Sequence, residues 1–285
     1  MKNSGKTLFV RKHFFFFSIM LIVVLSVSGC HAALSYATQP PQTAALETPG
    51  NAQPTPAPTA PPSTPYQTPD LAVFADRMIE EPMTQLINQA YTLEEAYVPQ
   101  NLVQVSKHNR SGNLTLKNNR MEANSAAMAA LNEMLAAAKA DGVEEFYLAS
   151  AYRTYGEQST LWRRKREKYP NYGDDPAVPI AVAPPGSSEH QTGQAFDLAT
   201  LNDHTLDDTF AETPQGQWLI AHAYEHGFIL RYPEGKETYT GIVFEPWHYR
   251  YVGKTLSHYL TAHGIVLEEF YGAIARPDSA AATEE

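Results

Sequence analysis

The chain has 285 residues, of which 43% are hydrophobic, with one cysteine and a formal net charge of −10. A single cysteine excludes an intramolecular disulfide, and an acidic chain is a poor candidate for binding nucleic acid. The length could hold two small domains, but residues before about 70 lack the pattern of a packed core. We therefore expect one folded domain over residues 70–276 and a disordered tail at 277–285.

The N-terminus combines a basic region, Lys2 to Lys12, with an apolar run from Phe14 to Val27. The run is shorter than the about 20 residues of a spanning helix and has the length of a signal-peptide core. It ends in Val27-Ser28-Gly29-Cys30, which resembles the lipobox of bacterial lipoproteins. The resemblance implies that residues 1–30 are a lipoprotein signal and that Cys30 is lipidated. The alternative is an ordinary signal peptide with a coincidental cysteine.

Residues 31–69 are rich in Pro, Thr, Ala and Gln. They have no helical or strand periodicity, and their prolines favour extended polyproline II, so we expect a disordered, semi-rigid linker. A lipid anchor followed by a spacer implies an extracytoplasmic protein that works at some distance from the membrane.

Within the folded domain, hydrophobic periodicity and breakers predict the elements in chain order. The first half is expected to hold an entry helix, an extended approach, a core helix, a strand and a helix with a basic, solvated face (71–86, 91–99, 119–140, 143–150 and 155–169). A proline-rich loop follows at 170–187. The second half is expected to hold a strand, a helix, two strands and two helices (195–199, 213–226, 228–232, 241–252, 253–263 and 267–271).

Two stretches hold residues that could form a metal site. One contains His190 and Asp197, and the other contains Glu245 and His248. Two imidazoles and one carboxylate leave the fourth position of a tetrahedral zinc open, and a carboxylate off the metal can carry a proton. Pro246 suggests a bulge that turns Glu245 and His248 into one cavity.

Two rival patterns are weaker. His222, Glu225 and His226 match the H-x-x-E-H pattern of a zinc-binding helix, but no third ligand stands out downstream. Ser187 and Ser188 lie near a histidine, but neither is in the G-x-S-x-G setting of a serine hydrolase.

Four motifs in order resemble the D-alanyl-D-alanine carboxypeptidases of the VanY type, and the likeness runs from about residue 86 to 271. They are Ser150-Ala151-Tyr152-Arg153, the Ser-x-His-x-x-Gly-x-Ala-x-Asp pattern at 188–197, the run at 227–233, and Glu245-Pro246-Trp247-His248-Tyr249 with its extension to Gly253.

The resemblance implies one Zn²⁺ held by His190, Asp197 and His248, with Glu245 as general base. It implies that Arg153 holds the substrate carbonyl or carboxylate. Further substrate contacts are expected from the side chains of Gln158, Ser188, Tyr152 and Trp247, although Trp247 is better suited to packing beneath the site and Tyr152 to either role.

The resemblance also implies an α+β fold of the Hedgehog/DD-peptidase type, with a small antiparallel sheet carrying the zinc site and helices packed on it. The implied function is removal of the C-terminal D-alanine from peptidoglycan stem peptides by a monomer. An L,D-carboxypeptidase or a stem-peptide endopeptidase on the same fold stays open, as does a non-catalytic wall-binding module. Cobalt or manganese also remains an alternative metal.

Overall fold

The computed structural model describes residues 85–274, which form an α+β fold. The expected signal peptide, Cys30, the linker and the C-terminal tail lie outside the described residues, as does almost all of the expected entry helix. Gln85 and Leu86, the described end of that expected helix, are irregular. Within residues 85–274, no helix has both the length and the apolarity needed to span a bilayer.

The regular elements are mostly short. The strands are β1 (Leu102–Gln104), β2 (Leu114–Leu116), β3 (Glu122–Asn124), β4 (Phe146–Ser150), β5 (Ala195–Thr200), β6 (Phe228–Leu230) and β7 (His248–Tyr251). The α-helices are α1 (Val105–His108), α2 (Ser125–Ala140), α3 (Tyr155–Lys168), α4 (Pro214–His222), α5 (Glu237–Thr240), α6 (Lys254–His263) and α7 (Leu267–Ile274). Three 3₁₀ helices span Glu189–Thr192, Asp208–Glu212 and Ala223–His226.

Five strands form the main sheet in the order β2-β4-β5-β7-β6. All of its pairs are antiparallel except β2 with β4, so the expected antiparallel sheet has one parallel strand at its edge. Strands β1 and β3 form a separate antiparallel pair. The α+β fold class expected from the sequence is confirmed.

One face of the main sheet packs on the hydrophobic core and the other carries the candidate ligands. Successive strand residues point to opposite faces, so both sets come from the same strands. On one face, Phe196 and Leu198 of β5 and Tyr249 of β7 join a hydrophobic core with Leu131 and Met134 of α2. The intervening residues, Asp197 and His248, are paired in register across β5 and β7 and therefore lie together on the other face. Core and candidate site thus share the same two strands.

The long core helix begins later than expected. The sequence predicted it from residue 119, whereas α2 begins at Ser125, with the side chain of Asn124 accepting hydrogen bonds from the amides of Ala126 and Ala127. The preceding residues 122–124 instead form β3. Strands β1 and β2 and helix α1 were not predicted at all.

The expected strand over 241–252 is also wrong in its first half, because only His248–Tyr251 forms a strand and Ile242 makes just an isolated bridge to Ile180. The residues before it form an irregular segment and a turn. The helix expected over 213–226 starts as predicted, with Thr213 as N-cap and Pro214 in the first turn. It tightens into a 3₁₀ helix after His222 and ends at Gly227, whose φ of 87° is left-handed.

Candidate metal centre

Three elements bring His190, Asp197 and His248 together. Asp197 and His248 are directly opposite each other on β5 and β7. His190 lies in the 3₁₀ helix that precedes β5, and this helix ends at Gly193 with a φ of 71°. A Cβ at Gly193 would lie 2.9 Å from Leu102 and 3.0 Å from the amide of Asn124, so only glycine lets the loop dock there.

The three side chains are buried and their candidate ligand atoms lie within 4.8 Å of one another, the only such group among residues 85–274. Nε2 of His190 is 3.1 Å from Oδ2 of Asp197. Nδ1 of His248 is 3.0 Å from Oδ1 of the same carboxylate. One carboxylate therefore faces a nitrogen of each ring.

The donor set fits a metal ion. Nδ1 of His190 lies 2.7 Å from the carbonyl oxygen of Ala151, so in the neutral ring this nitrogen carries the proton and donates it. Nε2 then turns a lone pair towards an oxygen of Asp197, and a cation between these two electron-rich atoms converts repulsion into coordination. Two imidazole nitrogens and one carboxylate are the ligand set of a catalytic zinc site with an open position.

Glu245 joins the cluster through a tight turn. The amide of His248 donates to the carbonyl of Glu245 at 3.0 Å, with Pro246 at the second position of the turn. Oε2 of Glu245 lies 3.9 Å from Nδ1 of His248. Both residues line one cavity of about 310 Å³, as the sequence predicted, although a turn rather than a bulge brings them there.

The guanidinium of Arg153 is held at the edge of this cavity. It donates to the Ser150 hydroxyl and to Oε1 of Gln158, both at 2.8 Å, and lies 3.6 Å from Oδ2 of Asp197. The amide nitrogen of Gln158 in turn donates to the carbonyl of Ala183 at 2.6 Å. Both ends of the Gln158 side chain are thus used to fix Arg153.

The other expected substrate contacts divide between two cavities. Ser188 and Trp247 line the cavity of the metal cluster, together with Gln158, and Trp247 also packs against the hydrophobic core. Tyr152 instead lines a neighbouring cavity. Its side chain is not among those around the metal cluster.

The sequence reasoning missed a buried carboxylate, Glu189. It is fully buried and accepts a hydrogen bond of 2.7 Å from Nε of Arg231, while Nη1 of Arg250 lies 3.2 Å away. Its second oxygen lies 3.6 Å from Nε2 of His248. These two atoms have no hydrogen-bond partner among the described residues. Glu189 therefore faces the ring nitrogen of His248 that points away from Asp197.

Buried charges set the pKa values of this cluster. Burial lowers the pKa of His190, although the charge of Asp197 opposes this shift, so the ring is neutral. Burial opposes ionisation of Glu189, but Arg231 and Arg250 outweigh it and hold its pKa well below the usual range. Burial raises the pKa of Glu245 to about 8, with His248 opposing the shift. A divalent cation in the cluster favours the carboxylate form of Glu245.

The rival pattern does not form a comparable cluster. Nδ1 of His222 lies 3.0 Å from Glu225 in an exposed pair, and His226 lies in the 3₁₀ segment beyond the end of α4. The rings of both histidines instead lie near the ring of Trp218. The only His/Asp/Glu group near enough to hold a metal within residues 85–274 is the one described above.

Comparison with known proteins finds related carboxypeptidases. A family model described as VanY, D-alanyl-D-alanine carboxypeptidase, matches residues 120–254. The putative carboxypeptidase YodJ of Bacillus subtilis is 34% identical over 198 residues, which are 69% of each chain.

Solved structures extend the likeness to the fold. The LD-carboxypeptidase LdcB has a TM-score of 0.58 at 34% identity, over 66% of this chain and 84% of LdcB. VanYB in complex with D-alanine-D-alanine has a TM-score of 0.54 at 31% identity, over 67% of this chain and 98% of VanYB. A VanY variant from the VanB-type cassette in complex with Zn(II) has a TM-score of 0.52 at 30% identity, over 66% and 98% of the two chains.

Replacing Glu189 with Gln should weaken metal binding. The substitution keeps the shape but removes the charge that faces Nε2 of His248 at 3.6 Å, and the loss of such an outer carboxylate typically costs about 10- to 100-fold in metal affinity. Competition between the metal-free protein and a chromophoric chelator for Zn²⁺ measures this change. Circular dichroism of the variant checks whether the fold persists, since the substitution leaves Arg231 and Arg250 with less counter-charge.

The matched control is Glu225→Gln, which removes the carboxylate of the exposed His222–Glu225 pair. Its Zn²⁺ affinity should equal that of the unmodified protein. Equal affinities for all three proteins would contradict the role of Glu189.

Proposed function

Because the chain belongs to the VanY family of D-alanyl-D-alanine carboxypeptidases, we propose that it removes the C-terminal D-alanine from the peptide stems of peptidoglycan. It is a zinc metallopeptidase with an α+β fold. The observation that supports the proposal most directly is the convergence of His190, Asp197 and His248 in a cavity that Glu245 also lines.

Zinc held by these three side chains supplies Lewis acidity for the scissile carbonyl and the attacking water. Glu245 accepts a proton from the attacking water while the water oxygen forms a bond to the carbonyl carbon. When the C–N bond breaks, the same carboxyl group passes the proton to the departing amine of D-alanine. Burial of Glu245, which is 6% exposed, keeps bulk water from intercepting that proton.

Arg153 stabilises the negative charge that develops on the carbonyl oxygen. Its guanidinium is already fixed by Ser150 and Gln158 before substrate arrives, so little reorganisation is needed. Those two bonds use two of its five N–H groups, which leaves donors for the substrate. Gln158 acts as a positioning residue for Arg153, and Ser188 and Trp247 contact the terminal residue from the cavity wall.

The runner-up is L,D-carboxypeptidase activity. LdcB, an LD-carboxypeptidase, matches this chain at 34% identity with a TM-score of 0.58, in the same range as the VanY structures. Both reactions release a terminal D-alanine and need the same ligands and base. They differ in the residue that precedes the scissile bond.

Amino-acid release from synthetic stem peptides tests the proposal. The zinc-loaded full chain should release D-alanine from a pentapeptide ending in D-alanyl-D-alanine, and a chelator should abolish release because the Lewis acid is lost. Release only from a tetrapeptide stem, which ends in a single D-alanine, would indicate an L,D-carboxypeptidase. Cleavage within either stem would indicate an endopeptidase, and wall binding without any cleavage would indicate a binding module.

Glu245→Gln should lower kcat by about 10²-fold or more, the scale of a lost general base, while Zn²⁺ stays bound. The isosteric amide keeps the turn but cannot take the proton. Steady-state D-alanine release and metal analysis of the same preparation measure the two quantities. A variant with zinc bound and full activity would remove Glu245 from the mechanism.

We further propose that Cys30 is lipidated and anchors the enzyme as a monomer on the extracytoplasmic face of the membrane. The basic and apolar run that ends in Val27-Ser28-Gly29-Cys30 supports this, and residues 31–69 would then serve as the spacer that lets the enzyme reach the wall.

Cys30→Ala should move the protein from the membrane fraction to the soluble fraction, because a lipid chain supplies the membrane affinity. Immunoblots of fractionated cells expressing either form measure the distribution. Membrane retention of the variant after a high-salt wash would contradict lipidation.

A further inference from the structure

A second cavity of about 660 Å³ adjoins the cavity of the metal cluster. The two cavities share Arg153 and Leu161 in their walls. The second one continues along the N-terminal half of α3 towards Lys117, which follows strand β2. A molecule that reaches past Arg153 from the metal cluster therefore enters this second cavity.

The basic face of α3 points to what the cavity binds. Most of its cations are already engaged within the protein: Arg163 pairs with Glu167, Arg166 pairs with Asp174 at 2.6 Å, and Lys165 and Lys168 lie over the ring of Tyr169. Arg164 is the exception, since no ion pair, hydrogen bond or ring contact engages its side chain among residues 85–274. Arg164 is also the cation of this run that lines the second cavity.

Lys117 is a second cation in the wall of this cavity, across from α3. It is exposed, lines the cavity, and its ammonium has no partner in the described part of the chain. The carboxylate of Glu157 is also in the lining, but it accepts hydrogen bonds of 2.9 Å from the amide and hydroxyl of Thr154 in the cap of α3. The cavity thus holds two cations without an ion-pair partner among the described residues and one carboxylate, Glu157, whose oxygen is turned to the helix cap, in a chain whose net charge is −10.

We propose that this cavity binds the part of the substrate peptide that precedes the scissile bond, with Lys117 and Arg164 pairing with carboxylates of acidic residues there. The inference rests on the proposed function. A carboxypeptidase holds the last residue of the peptide in the metal cavity, so the remaining chain must leave it. Exit over Arg153 and Leu161 leads directly to the two cations, and the preferred substrates are therefore peptides with free upstream carboxylates.

The test compares two pentapeptides that end in D-alanyl-D-alanine, one with free upstream side-chain carboxylates and one with these groups amidated. For the zinc-loaded full chain, kcat/KM should be higher for the acidic peptide. Lys117→Gln and Arg164→Gln should each lower the acidic-to-amidated ratio of kcat/KM by up to about fivefold, the scale of an exposed ion pair, mainly through KM. The double variant should lower the ratio further.

Arg163→Gln is the matched control, because it removes the same charge from the same helix at a position that pairs with Glu167 outside the cavity. Its ratio should stay that of the unmodified enzyme. If Arg163→Gln lowered the ratio as much as Arg164→Gln, the effect would come from the overall positive charge of the helix. The assignment of a specific binding site to the second cavity would then be wrong.

A steric variant tests the cavity without changing charge. Gly156 lies in the lining on the first turn of α3, and a Cβ built there meets no heavy atom within 4 Å. A side chain at Gly156 therefore starts in open space at the wall of the cavity, and Gly156→Trp places a large ring there. It should lower kcat/KM for the acidic pentapeptide by about tenfold or more relative to N-acetyl-D-alanyl-D-alanine, which is too short to reach the cavity.

Different results would contradict the binding role of the second cavity and the proposed function. The unmodified enzyme could release D-alanine while all variants keep the same acidic-to-amidated ratio of kcat/KM and Gly156→Trp shows no selective loss. That result would overturn only the proposed binding role of the second cavity. An unmodified enzyme that releases no D-alanine from any of these peptides would overturn the proposed function, and the assignment of the cavity with it.

Discussion

The carboxylate of Glu189, sealed between Arg231 and Arg250, is the constraint around which the described structure is arranged. A buried charge is tolerated only when it is paired and hydrogen-bonded. Here each cation is also tied to a distant part of the chain. Arg231 makes a bidentate pair with Glu268 at 2.9 and 2.6 Å, and Nη2 of Arg250 donates to Gln194 at 2.8 Å. The same carboxylate faces His248, so the metal cluster depends on contacts well outside it.

The strands solve a second problem, that of holding polar ligands rigidly on a small hydrophobic core. Along β5, Phe196 and Leu198 enter the core while Asp197 points to the opposite face. On β7, Tyr249 does the same beside His248. Because the core fixes each strand from one side, the ligands on the other side are held by packing as well as by their own hydrogen bonds. Helices α2 and α4 supply that packing from the core side of the sheet.

How far the sequence leads depends on whether a feature is local. The periodicity of Met128 to Ala138, the cap at Thr213-Pro214 and the ligand motifs are local signals, and the structure contains the corresponding helices and the His190–Asp197–His248 cluster. The short strand β3 has no such signal, because residues 122–124 are extended only through pairing with β1, which lies some twenty positions earlier. This pairing also explains why the start of α2 was placed too early.

Glu189 was overlooked for a related reason. A glutamate beside a histidine is in most proteins a solvated surface residue, and burial of its charge follows only from partners supplied far away in the sequence. Arg231 and Arg250, which lie within two of the family motifs, are the signals that could have indicated it. A buried arginine needs a carboxylate partner, and no partner for these two is evident from the sequence motifs. Gln158 is the converse case, a residue expected to touch substrate whose two polar ends are both occupied by the protein.

The pairing of Arg231 with Glu268 has a consequence for the order in which the molecule can mature. Helix α7, which carries Glu268 and the buried Leu267 and Phe270, is the last described element of the chain. A nascent chain that has not yet produced it leaves Arg231 with half of its counter-charge and leaves the adjoining apolar cluster uncovered. The support of the metal cluster is therefore complete only after α7 has been synthesised and has packed, and a chain truncated before residue 267 lacks the Glu268 carboxylate that pairs with Arg231.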